Sequence, residues 1–146
     1  MAEESELNTG VLLFIPYRAL EDRVFAALAT AGFDDLTAAQ ARVMQRVSPH
    51  GTRLTELAAQ AQITKQTAGF LVDQLEKAGY ARRVPDPTDK RARLVCGADR
   101  AWAAKRVADA VVAEVEQEWE AHLGKRRMKQ LRESLASLRE ITDPWA

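Results

Sequence analysis

Between Thr64 and Gly79 the apolar positions Leu71, Leu75 and Ala78 continue a stripe begun by Ile63 and Thr67, with Ala68 and Val72 beside it. Spacing of three and four residues predicts an amphipathic helix with that stripe buried. Thr64 suits the N-cap and Gly79 the first position past the end. Upstream, Leu54 to Ala61 reads as a shorter helix and Gln62-Ile63 as the turn between the two. Downstream the helical period stops. Tyr80 to Val84 and Ala92 to Val95 carry strand-forming residues, while Pro85, Asp86, Pro87 and Asp89 supply turn chemistry, which predicts a β-hairpin.

Elsewhere the pattern is helical. Leu7 to Ala31 carries Val11, Leu12, Phe14, Ile15, Leu20, Val24, Phe25 and Leu28, with Asn8 or Thr9 as cap and Gly32 as stop. Pro16 predicts a kink there, or a helix that starts nearer Ile15, because an interior proline costs about 3 kcal/mol. Thr37-Ala38-Ala39-Gln40 is a capping box opening a helix to about Val47, before Ser48-Pro49-His50-Gly51. Ala98 to about Leu123 and Lys125 to about Ile141 form two further helices broken at Gly124, the first capped by Gly97 or Asp99. Leu131, Leu135, Leu138 and Ile141 make an apolar stripe on the last one. These terminal helices have little of their own domain to pack on, so a partner subunit is expected to cover them.

The predicted buried stripe leaves Lys65, Gln66, Gly69, Asp73, Glu76 and Lys77 on the opposite face of the second helix, with Phe70 at its edge. Donors and a position without a side chain thus occupy its first turns. A recognition helix needs this arrangement, since its N-terminal residues reach base edges in a major groove. In the hairpin, Arg82, Arg83, Lys90, Arg91 and Arg93 outnumber Asp86 and Asp89 five to two, and a phosphate backbone is the natural complement. Helix, turn, helix, hairpin is a winged helix-turn-helix, so the expected fold class is mainly α with a small β-hairpin wing and dimerisation helices at both ends.

The 146 residues, 47% of them hydrophobic, suffice for one core and one domain. No apolar run is long enough to span a bilayer, and the start Met1-Ala2-Glu3-Glu4-Ser5-Glu6 is acidic where a signal peptide is basic. With one cysteine, Cys96, this points to a reducing, cytoplasmic setting. The zero net charge is unevenly spread: Lys plus Arg against Asp plus Glu is two against seven over 1–36, ten against five over 37–97, and nine against nine over 98–146. The resulting −5, +5 and 0 concentrate positive charge where the helix-turn-helix and wing lie.

Leu36-Thr37-Ala38-Ala39-Gln40, Leu57-Ala58, Thr64-Lys65-Gln66-Thr67 through Leu71-Val72-Asp73-Gln74-Leu75-Glu76-Lys77-Ala78-Gly79, and Asp86-Pro87-Thr88-Asp89-Lys90-Arg91 together resemble the multiple antibiotic resistance regulator (MarR) family of bacterial transcription factors. The likeness runs in order over nearly the whole chain. It implies a single domain over 1–146, with a DNA-binding lobe at about 36–97 and dimerisation helices at about 7–32 and 98–142. It implies a homodimeric repressor on a palindromic site in double-stranded DNA. Thr64, Lys65, Gln66, Thr67, Gly69 and Phe70 are then the recognition-helix contacts, and Arg53, Arg82, Lys90, Arg91 and Arg93 the flanking cationic ones.

Two departures stand out. Thr88 occupies the wing position where the family usually has the arginine that enters the minor groove, which makes Lys90 the wing-tip candidate and leaves Arg91 to brace the turn against Asp86, as the family's last wing position often does. After the wing, Val95-Cys96-Gly97-Ala98-Asp99 replaces the usual Leu-Thr-x-x-Gly. The family also implies an amphipathic or aromatic-acid effector held where the first, second and fifth helices meet. Phe14, Tyr17, Arg18, Met44, His50 and Trp102 are the residues for that site, with Arg18 facing a carboxylate.

Other chemistry is sparse. His50 and His122 lack ligand spacing with Cys96, so no metal or cofactor is expected. Cys96, unlike the reactive cysteine of peroxide-sensing relatives, is not near the N-terminus. Lys125-Arg126-Arg127, with Lys129 and Arg132, reads as a solvated face, and no catalytic constellation can be assembled, so an enzyme is disfavoured. The alternative function is a protein- or RNA-interaction module that uses a winged helix without reading sequence.

Overall fold

Asn8 opens the first helix by accepting the Val11 N–H on its side chain at 2.9 Å, and helix α1 then runs Thr9–Thr30. It therefore starts well before Ile15 and passes through Pro16, where the missing N–H leaves the Leu12 carbonyl without its helical donor. The computed structural model describes residues 6–145; the acidic start over 1–5, read above as unlike a signal peptide, lies outside the described residues. The capping box forms as expected: Thr37 accepts from the Gln40 N–H while the Gln40 side chain accepts from the Thr37 N–H, and α2 follows as Ala38–Met44.

A two-residue strand, β1 (Thr52–Arg53), leads directly into α3 (Leu54–Gln60) and was not legible in the hydropathy pattern. Gly51 makes it possible. Its φ of +93° suits glycine, and a Cβ there would sit 2.8 Å from the Cys96 sulfur and 2.9 Å from the Leu94 Cβ. Gln62, at φ +59°, turns the chain into α4 (Lys65–Lys77), whose N-cap Thr64 accepts the Thr67 N–H at 3.1 Å. At the far end Tyr80 N–H donates to the Leu75 carbonyl across Gly79, a Schellman closure.

The hairpin is β2 (Ala81–Asp86) and β3 (Asp89–Gly97), and the antiparallel sheet has the order β1-β3-β2. Helices α5 (Asp99–Leu123) and α6 (Lys125–Thr142) complete the chain, separated by Gly124. Neither Gly97 nor Asp99 caps α5; Ala98 holds that position without a side-chain bond.

One core cluster joins Leu28 of α1, Val43 of α2, Leu57 of α3, Leu71, Val72 and Leu75 of α4, and Tyr80 and Val95 of the sheet. Thr67, expected in the buried stripe of α4, is exposed, its hydroxyl accepting from that of Thr64 at 2.9 Å on the outer side of the first turn. Ala68, Leu71, Val72 and Leu75 are the buried face. Leu75 is fully buried. Leu75→Ala is expected to cost about 2–5 kcal/mol in urea unfolding, the range for opening a cavity in a packed core; a loss below about 1 kcal/mol would mean the site can collapse.

The ends of the chain behave differently. Leu12, Leu13, Phe14 and Ile15 of α1 are 43–58% exposed, and Leu135 and Leu138 of α6 are exposed to 41% and 44%. Ile141 reaches 83%. Paired charges still fix these helices to the rest: Arg23 donates to both carboxylate oxygens of Glu118, Arg132 to Glu116, and Arg46 to Asp143 just past α6.

Candidate nucleic-acid interface

Packing of the α4 stripe into the core decides what its other side presents. Lys65 and Gln66, in the first turn, are exposed, as is Phe70 at 62%, an unusual degree for an aromatic with a core beside it. Gly69 lies between them. A methyl group there would meet only Leu54 at 3.7 Å, so internal packing does not demand the glycine. Gln40 of α2 donates to Gln74 of α4 at 3.1 Å, which fixes the helix against the rest of the lobe on the side away from its first turns.

A second clamp holds the C-terminal end of α4. The Arg100 guanidinium, at the start of α5, donates to both oxygens of Asp35 and to the Ala78 carbonyl, and lies 4.3 Å from the Tyr80 ring centroid. Tyr80 donates its hydroxyl to Asp35 at 2.6 Å. Burial, then the Asp35 contact, pushes the Tyr80 phenol up to about 12, so it stays protonated and donating at neutral pH. The sequence reading passed over Arg100 and Asp35 and took Tyr80 only as the start of a strand, because the contact joins residues 20 to 65 positions apart with no local spacing to mark it.

The wing corrects one expectation outright. Asp86 is not held by Arg91. Its Oδ2 accepts from Arg53 Nε at 2.8 Å, and its Oδ1 accepts from the backbone N–H and the hydroxyl of Thr88, at 2.8 and 2.7 Å. The cause is β1: pairing Arg53 with Leu94 on β3 lays the Arg53 side chain along the hairpin, within reach of a buried carboxylate at the turn. Thr88 N–H, then its hydroxyl, then Arg53 pull the Asp86 carboxyl down to about 2. Arg53, expected among the DNA contacts, is thereby the brace.

Arg91, freed from that role, is exposed, and its backbone N–H donates to Asp89. No side-chain partner for Arg82, Lys90, Arg91 or Arg93 occurs among the described residues, and all four are exposed. Strand alternation puts Arg93 on the face of β3 that carries Val95, paired with Arg83, while Arg91 lies in the irregular stretch between the Pro85–Arg93 and Asp86–Asp89 pairs. Arg83 turns to α4, bonding Glu76 and lying 2.9 Å from Asp73.

The expected effector site is only partly assembled. A cavity of about 310 Å³ lies between α1, α2 and α5, and Tyr17, Met44 and Trp102 line it. Phe14, Arg18 and His50 do not: Phe14 points to the exposed side of α1 at 58%, Arg18 pairs with Glu21 at 2.6 Å and Asp22 at 3.5 Å, and His50 sits exposed in the turn before β1. Glu21 and Arg42, which the sequence reading did not select, line the cavity instead.

Among the described residues no group of His, Cys, Asp and Glu could hold a metal ion, and no helix is long and apolar enough to cross a membrane.

Residues 34–92 match the model of the MarR family. No curated protein sequence matches. Among solved structures, a MarR family protein of Mycobacterium tuberculosis in complex with salicylic acid is 27% identical, with a TM-score of 0.64 over 91% of this chain and 97% of that one. CouR of Rhodococcus jostii bound to p-coumaroyl-CoA is 23% identical, with a TM-score of 0.69 over 90% and 91%. A MepR variant of S. aureus bound to an oligodeoxyribonucleotide is 18% identical, with a TM-score of 0.60 over 92% and 98%.

Proposed function

We propose that this chain, which is similar to the MarR family over residues 34–92 and in its fold, is a cytoplasmic repressor of that family that binds a palindromic operator in double-stranded DNA as a homodimer. The observation that carries the reading is the pairing of two unengaged surfaces: the exposed first turns of α4 and the exposed cations of the wing beside it. Helix α4 enters the major groove. Lys65 and Gln66 meet base edges, Thr64 and Thr67 the phosphates, while Gly69 lets the backbone approach and Phe70 offers an apolar surface to a thymine methyl group.

The wing lies along the adjacent minor groove, where Arg91 takes the part that Thr88 cannot, with Lys90, Arg93 and Arg82 on the phosphates. A neighbour of the same fold is bound to an oligodeoxyribonucleotide, which favours this use of the surface.

The chain acts as one domain in which α1, α5 and α6 pair two copies. Two α4 helices then meet half-sites about 34–36 Å apart. The cavity between α1, α2 and α5 takes a small effector, as neighbours bound to salicylic acid and p-coumaroyl-CoA encourage, and so biases the spacing of the two lobes.

Gln66→Ala is the test of the readout. It is expected to weaken the cognate site by about 1–3 kcal/mol and to relax preference at one base pair. Binding-site selection with the variant measures this; a preference profile unchanged at every position removes Gln66 from the readout.

A further inference from the structure

Glu21 is a carboxylate buried to 8% exposure on the wall of an otherwise mainly apolar cavity. Three groups of this chain hold it: the Tyr17 hydroxyl donates to Oε2 at 2.8 Å, Arg18 to Oε1 at 2.6 Å, and Arg42 to Oε2 at 3.3 Å. Arg18 is shared with Asp22, and the other charged pair on the wall, Lys105 and Asp109, is closed on itself at 2.6 Å. The charges around the cavity therefore cancel, and each cation near it is already matched.

We infer that Glu21 sets the charge class of the effector: the cavity takes a neutral aromatic that bears a hydrogen-bond donor and turns carboxylates away. The inference rests on the reading of this cavity as a ligand site. An incoming carboxylate loses its water, finds Arg18 and Arg42 already engaged, and meets the like charge of Glu21. A phenol or aromatic amide loses far less. It also gains a partner, because an ionised carboxylate accepts about four hydrogen bonds and Glu21 receives three. Burial pulls the Glu21 carboxyl upward, but the bonds from Tyr17 and Arg18 and the charge of Arg42 outweigh it and hold it below its ordinary value, so it is ionised at neutral pH. The apolar body of such a molecule packs against Leu20, Val24, Phe25, Met44 and Trp102.

Isothermal titration of the full chain with 2-naphthol and with 2-naphthoate at neutral pH separates the cases. The wild type is expected to bind 2-naphthol at least about tenfold more tightly, the discrimination that one unpaired, partly desolvated charge imposes. Glu21→Gln, which leaves Arg42 without its carboxylate and Arg18 with Asp22 alone, is expected to narrow or invert that ratio. Arg42→Gln alters a half-exposed side chain and keeps the test open if Glu21→Gln does not fold; removing a cation that offsets Glu21 is expected to widen the preference for 2-naphthol, and a preference that narrows would contradict the role of Glu21. Equal or tighter binding of 2-naphthoate by the wild type overturns the role of Glu21 and leaves the cavity as a ligand site. If neither probe binds, both the role and the site fall.

Discussion

Leu12→Asp combined with Leu138→Asp is expected to give a folded monomer that has lost specific DNA binding. Both leucines are exposed in the single chain, at 55% and 44%, and both lie away from the cluster of Leu28, Val43, Leu57 and Leu75 that holds the lobe together. The substitutions therefore cost the isolated chain little. In a dimer that covers α1 and α6 they bury four carboxylates without partners, which no apolar contact at the rim can offset. Sedimentation should report the 16.2 kDa chain rather than twice that mass. Operator affinity should fall on the order of 10³-fold or more, the gap between specific and non-specific association, because one lobe alone keeps only half the contacts. A variant that sediments as the wild type does would leave α1 and α6 without the role assigned to them.

The second large effect belongs to the wing brace. Asp86→Ala removes the carboxylate that ties β1 to the hairpin turn through Arg53 and Thr88. Arg53→Ala removes the other half. Both are expected to lower the melting temperature and to weaken operator binding by about tenfold, since a wing free to swing loses its register on the duplex and each lost charge-assisted bond is worth that order. Arg91→Ala should act differently, weakening binding and reducing the salt slope by about one phosphate contact while leaving the melting temperature in place. Lys90→Glu should likewise reduce affinity alone.

The acid dependence follows from the sign of the Asp86 shift. Its carboxyl lies at about 2 in the folded chain against about 3.9 when unfolded, so its contribution is complete above the unfolded value and is lost as pH falls toward 2. Asp143, pulled down to about 2 by Arg139, the Trp145 N–H and Arg46, titrates in the same window. Melting temperature should therefore drop between about pH 4 and pH 2, and less so in Asp86→Asn. Should Arg91→Ala lower the melting temperature as much as Arg53→Ala does, the exchange of roles between these two arginines is wrong.

That exchange marks where sequence reading reached its limit. The helix-turn-helix was legible because its signals are local: Thr37 and Gln40 three apart, Thr64 before the α4 stripe, Gly79 after it, and the proline- and aspartate-rich turn of the hairpin. Strand β1 was not, since two residues show no alternation and exist as a strand only through β3, some forty positions later. The misassigned brace follows from the same omission. The family's wing pattern assigns the brace to Arg91, and with β1 absent from the picture nothing in the sequence pointed to Arg53 instead. Arg18 is the available cation at the effector junction that the family implies, and that reading leaves out Glu21, three residues on in the same helix, which already holds it. Arg100 and Asp35 escaped for a similar reason, being joined across the junction of three elements.

Footprinting of the dimer on the DNA flanking its own gene, repeated across salt concentrations, tests the central claim most directly. The account predicts a discrete protected palindrome whose half-sites are centred about one helical turn apart, with minor-groove protection at its flanks and an affinity that survives excess random duplex. Steeply salt-dependent coating of any duplex, with no boundary and no preference over random competitor, would contradict it, because phosphate contacts alone give that result.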